Sequence, residues 1–128
     1  MLASEDSLNM GQYFIIANLD KKEYIDPRKF TAGAKLWEIC VNTTAGVLPF
    51  LLRKSNDIGS GGDIKKNYKN AGRWAGDRIA VIGDHDTTGL FLKVELHFRE
   101  ISEEVMAEFW DFVEEKYLGP REWEAIPL

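Results

Sequence analysis

Residues 78–98 read RIAVIGDHDTTGLFLKVELHF, and the fold turns on how this stretch is folded. Arg78 to Ile82 is rich in β-branched residues, which favours a strand. Leu90 to Phe98 places Leu90, Leu92, Val94, Leu96 and Phe98 at even positions and Lys93, Glu95, His97 and Arg99 at odd ones. That period of two predicts a second strand with one buried face. Gly83 to Gly89 between them carries Asp, Thr and Gly, the residues of a turn. With Gly83 opposite Leu90, antiparallel pairing sets Ile79 against Val94 and Val81 against Leu92 on one face. Asp77 is then expected to point inward.

Working outward, Tyr13 to Asn18 and Lys21 to Ile25 read as the arms of a β-hairpin over 12–26, joined tightly at Leu19-Asp20. Asp26-Pro27 signals a short helical turn through Phe30 that stops near Gly33. Leu36, Trp37, Ile39 and Cys40 recur at helical spacing until Thr43, Thr44 and Gly46 break the run. Val47 to Lys54 is read as a further helix, since Pro49 near its start spoils an interior strand but permits a helix to begin there. Residues 55–72 are loop by composition, anchored by Ile58, Ile64 and Tyr68, and are the expected place for a lid. Ser102 caps a last helix that ends at Gly119-Pro120. It carries Val105, Met106, Phe109, Phe112 and Val113 on one face and Glu104, Glu108, Asp111 and Glu115 on the other. The expected architecture is α+β, a mainly antiparallel sheet of about four strands packed on helices. Residues 10–128 form the single domain and residues 1–9 a disordered leader.

The chain has 128 residues, 45% of them hydrophobic and 29% charged, which is the composition of an ordinary globular domain able to bury one core. Its longest apolar run, Val47 to Leu52, is interrupted by Pro49 and falls far short of the roughly twenty residues of a membrane span. Cys40 is the only cysteine, so the chain forms no internal disulfide and no multi-thiolate metal site. The N-terminus lacks the basic start and apolar stretch of a secretory signal, and a cytoplasmic location is expected. The net charge of −5 is uneven: residues 1–70 hold ten Lys or Arg against eight Asp or Glu, and residues 71–128 hold six against thirteen. Nucleic-acid and anionic-membrane partners are disfavoured, because both require an extended positive footprint. The one local exception is Lys65, Lys66, Lys69 and Arg73, which either bind a phosphate or form a solvated basic loop.

The densest unusual cluster is Gly72 to Ile79, GRWAGDRI. Two guanidiniums, an indole and a carboxylate there can recognise an anion and stack a ring. The architectural alternative pairs Asp77 with Arg73 or backbone N–H groups and sinks Trp74 into the core. With Tyr13 to Asn18, Leu19 to Tyr24, Gly62-Asp63 and Gly83-Asp84, this string resembles an uncharacterised family of short proteins over most of residues 10–102. His85 stands where that pattern has an aromatic such as Tyr. The resemblance implies no activity, but it marks Asp63, Arg73, Trp74, Asp77, Arg78 and Asp84 as candidate ligand-binding residues.

Asp84 to Gly89 followed by Glu95 nearly reproduces the spacing of a calcium loop, although its flanks read as strands and apolar Leu92 stands at the ninth position. His85 and His97 are the only histidines and sit too far apart along the expected strand to share a metal. Gly59 to Asp63 is neither a P-loop nor a dinucleotide fingerprint, so no cofactor is expected. The leading expectation is a binding module, self-associating as a homo-oligomer, with one polar pocket built from Asp63 and the Arg/Trp cluster. The alternative is an enzyme on a small anionic, phosphorylated molecule, with Asp63 or Asp77 as general base and Arg73 and Arg78 holding the anion. That reading requires a carboxylate of raised pKa beside Arg73. A third class, an assembly protein, would present Trp110, Trp123 and Leu128 as an apolar patch.

Overall fold

The computed structural model describes residues 11–30, 33–55, 64 and 66–116. The expectations placed on residues 1–9, Ile58, Asp63, Lys65, Gly119-Pro120, Trp123 and Leu128 lie outside these. Among the described residues the chain forms four strands and four helices: β1 (Phe14–Asn18), β2 (Glu23–Ile25), a 3₁₀ turn (Pro27–Phe30), α1 (Leu36–Ile39), α2 (Thr43–Leu52), β3 (Ile79–Gly83), α3 (Leu90–His97), β4 (Arg99–Glu100) and α4 (Ser102–Lys116). The sheet order is β3-β1-β2-β4. β1 lies antiparallel to both neighbours, whereas β2 and β4 are parallel, so the α+β fold has a mixed sheet.

β1 is central because Ile15, Ile16 and Ala17 are apolar on both faces and all are buried, which requires cover above and below. One face carries Ile16 and Ile25 against Phe30, α2, Trp74 and α4. The other carries Ile15, Ala17 and Ile82 against Val94, with Leu90 and Phe91 packed alongside. The β1–β2 loop is longer than the expected Leu19-Asp20 connection. The Asn18 side chain accepts from the N–H groups of Asp20 (2.9 Å) and Lys21 (2.8 Å), folding Leu19 to Lys22 into the turn and delaying the strand to Glu23.

The predicted strand Leu90–Phe98 is a helix, and β3 pairs instead with β1, with Ile16 opposite Val81 and Asn18 opposite Ile79. Positions 90, 94 and 98 belong to a period of two and equally to successive helical turns. The side chains that separate the readings are Leu92 and Leu96, which a strand would bury and which are exposed. Asp86 and Thr88 start the helix: Asp86 Oδ2 accepts from the Thr88 N–H (3.1 Å) and Thr88 Oγ1 from the Leu90 N–H (3.3 Å). Thr43 and Thr44 begin α2 rather than break a helix, because Asn42 caps them by accepting from the Thr44 N–H (2.9 Å). The Ser102 hydroxyl accepts from the Asp26 N–H (2.8 Å), tying the last helix to the end of β2.

The C-terminus of α2 leaves carbonyls that its own turn does not satisfy. Gly72 N–H donates to Phe50 (2.8 Å) and Trp74 N–H to Leu51 (2.9 Å). Gly72 adopts φ +78°, and a Cβ there would lie 2.5 Å from the Arg53 carbonyl oxygen. Gly72→Ala is therefore expected to lose at least about 2 kcal/mol of stability through left-handed strain plus the backbone clash, read from the urea midpoint. An unchanged midpoint would contradict this packing.

Candidate functional site

The strings 18–24 and 72–79 are partners of one another. Trp74 is fully buried and its Nε1 donates to Glu23 Oε1 (2.9 Å). Arg73 donates from Nε to the same oxygen (3.1 Å) and from Nη2 to Oε2 (2.5 Å), with both side chains only 12% exposed. Arg73 Nη1 also reaches Asn70 Oδ1 (2.6 Å) and Glu104 Oε2 (3.0 Å). Burial pushes the Glu23 carboxyl up, but the bonds from Arg73 and Trp74 outweigh it and hold the group below its ordinary range. Asp77 accepts from Lys21 Nζ and Asn18 Nδ2 (2.9 Å), which also hold it low. Arg78 bridges to Asp20 (2.7 Å).

Among the described residues of the basic segment, Lys66, Lys69 and Arg73 each pair with a carboxylate. The row Glu104, Glu108, Asp111 and Glu115, the face of α4 opposite its apolar one, grips the segment. Lys66 Nζ meets Asp111 (2.9 Å) and Lys69 Nζ meets Glu104 (3.5 Å), while Glu108 accepts from the N–H groups of Lys69 (2.7 Å) and Asn70 (2.6 Å). Tyr68, buried in the core, donates to Glu115 (2.6 Å). Lys66 to Asn70 are thus pinned to α4, while residues 56–63 and 65 of the segment expected to form a lid lie outside the described residues.

The described candidate ligand residues do not meet in one place. Arg73 and Trp74 join Glu23 in the interior, Asp77 joins Lys21, and Arg78 joins Asp20. Asp84 lies at the far end of β3, accepting from the Tyr13 N–H (3.1 Å). Asp86 is engaged with Thr88 and Glu95 is exposed on α3. No group of three or more acidic, His or Cys side chains able to hold a metal occurs among the described residues.

A different feature forms a concave surface. A cavity of about 440 Å³ lies between α1, α2 and the sheet, floored by Ile16 and Val81 and walled by Leu36, Ile39, Cys40, Ala45, Leu48 and Pro49. Val81 is 47% exposed and Leu36 54%; Cys40 is exposed at the wall. Thr44, buried behind it, has a hydroxyl without a hydrogen-bond partner. The cavity runs beside the outer edge of β3, the first strand in the sheet order. The Leu19 N–H donates to Arg78 and the Asp84 N–H to Tyr13, so the even-numbered residues of β3 turn their backbone toward β1. Ile79, Val81 and Gly83 turn theirs outward, and among the described residues only the Gly83 carbonyl of these groups has a partner, the Asp86 N–H (3.0 Å). The sequence signal was present in IAVIG, an apolar strand without the Lys or Pro that commonly blunts an edge. It was missed because Leu90–Phe98 was assigned to that edge.

Comparison with known proteins finds no matching family model, no matching curated protein and no matching solved structure.

The depressed Glu23 carboxyl carries a pH signature. Its stabilisation is complete above the ordinary carboxylate range of about 4.3 and is lost as pH falls through the lower folded value. Glu23→Gln is expected to cost about 3 kcal/mol at neutral pH, because Arg73 loses its buried counter-charge. It should also make the acid decline in urea midpoint shallower, with Glu104, Asp77 and Asp20, also held low, contributing to what remains. An acid decline as steep as that of the unsubstituted chain would refute the assignment.

Proposed function

We propose that this chain is a non-enzymatic interaction module that receives an extended apolar segment along β3. The supporting observation is the outward row of backbone groups at Ile79, Val81 and Gly83 beside a cavity floored by Val81. Strand addition needs both: main-chain bonds for affinity and a pocket for alternate side chains. The enzymatic alternative has less support. It calls for a carboxylate of raised pKa beside a free guanidinium, whereas Asp77 is held low by Lys21 and Asn18, and Arg73 is occupied by Glu23 and Glu104. Arg78 and Asp84 retain a binding role as the charged ends of the edge strand. A lone exposed thiol at Cys40 fits a reducing compartment, and the cytoplasm is the location this reading favours. Among the described residues no helix is long and apolar enough to cross a membrane.

A fluorescently labelled heptapeptide alternating threonine and valine tests the reading by anisotropy. Saturable binding is expected, weakened about tenfold or more by Val81→Lys, which places a charge on the cavity floor, and by Ala45→Trp, which fills it. Equal affinity in all three chains would remove β3 as the receiving edge.

A further inference from the structure

The geometry points to a second copy of this chain as the occupant of the β3 edge, paired antiparallel about a twofold axis through Val81. This rests on the strand-receiving reading above and names its partner. The run Arg78-Ile79-Ala80-Val81-Ile82-Gly83-Asp84 is complementary to itself when reversed. With Val81 opposite Val81 of the second copy, Ile79 faces Gly83, Ala80 faces Ile82 and Arg78 faces Asp84, at both ends of the ribbon.

Each of these matches answers something left open in the single chain. The outward N–H and C=O of Val81 meet the same groups of the second copy. Ile79 exchanges both of its bonds with Gly83, whose carbonyl has a second lone pair beyond the one used by Asp86. The half-exposed Val81 side chains become a facing pair across the axis, on the face that carries the cavity. Arg78 is 76% exposed, and its guanidinium has donors beyond those given to Asp20, so it can take a second carboxylate. Any apolar strand could use the backbone row, but unlike charges fall opposite at both ends only for a partner with a base before the strand and an acid after it, in antiparallel register. This chain is itself such a partner, and a twofold interface built in this way closes on itself as a dimer and does not propagate.

The decisive experiment is sedimentation velocity on the full chain over a concentration series, and then on Arg78→Asp, Asp84→Arg and their equimolar mixture, with circular dichroism confirming that each is folded. The unsubstituted chain is expected to be a reversible dimer. Each single variant sets like charges opposite one another at both ends and should weaken the dimer about tenfold or more. The mixture should recover a heterodimer, because Asp at 78 then faces Arg at 84 at one end and Arg78 faces Asp84 at the other. A chain that stays monomeric at sub-millimolar concentration yet binds the threonine–valine peptide overturns self-pairing and leaves the strand-receiving reading standing. A monomer that binds no peptide overturns both. A dimer indifferent to the two substitutions, or a mixture with no gain, overturns this register. Should either charge variant lose its native spectrum, Val81→Cys in a Cys40→Ser chain decides. Opposed residues of a bonded pair lie about 5.5 Å apart between Cα atoms, within disulfide reach, so oxidation should give a covalent dimer, and its absence overturns the twofold at Val81.

Discussion

A single carboxylate organises this protein. Glu23 stands on the interior face of the sheet opposite Asn18, where burial alone would make its charge costly. The charge is kept because Arg73 approaches it with two nitrogens and Trp74 with a third. Those donors reach it only because Gly72 takes a left-handed conformation against the end of α2, so that one short segment caps a helix, fills the core with an indole and neutralises the sheet. Arg73 then extends the same guanidinium to Glu104, bringing the last helix into the arrangement. Helix, hairpin and C-terminal helix therefore meet at one ion cluster, which explains why the residues that looked most like a ligand site are the ones that hold the fold together.

How much of this was legible in the sequence depended on whether local chemistry or tertiary partners decided each element. The β1–β2 hairpin, the Pro27 turn and the start of the last helix follow from caps, turn residues and an unambiguous period, and they stand where expected within a few residues. Leu90 to Phe98 failed because its period of two shares positions 90, 94 and 98 with a helix, and only the company of β1 settles the matter. The short β4 has too few residues to leave a pattern at all. Within the candidate site, Trp74 belongs to the core as the architectural alternative held. The partners of Arg73 and Asp77 were hidden because Glu23 and Lys21 lie about fifty residues upstream and nothing local announces them.

The charge asymmetry of the chain has the same explanation. The described basic residues around 66–73 and the acidic row of α4 answer one another across the fold. The described surface along β3 and the wall of α1 is apolar, with the outward backbone of β3 beside it. In the strand-receiving reading proposed above, such a surface offers bonds to a main chain and shelter to alternate side chains.

The pairing of Glu23 with Arg73 spans fifty residues, and this separation bears on how the chain matures during synthesis. The hairpin is local and can form within microseconds of its appearance, yet on its own it presents an unneutralised acid on the surface that is to become the interior. Its guanidinium partner leaves the ribosome only after α2 has been made, and β3, which completes the far side of β1, follows directly behind. Residues 72–83 supply the counter-ion, the indole and the missing strand together.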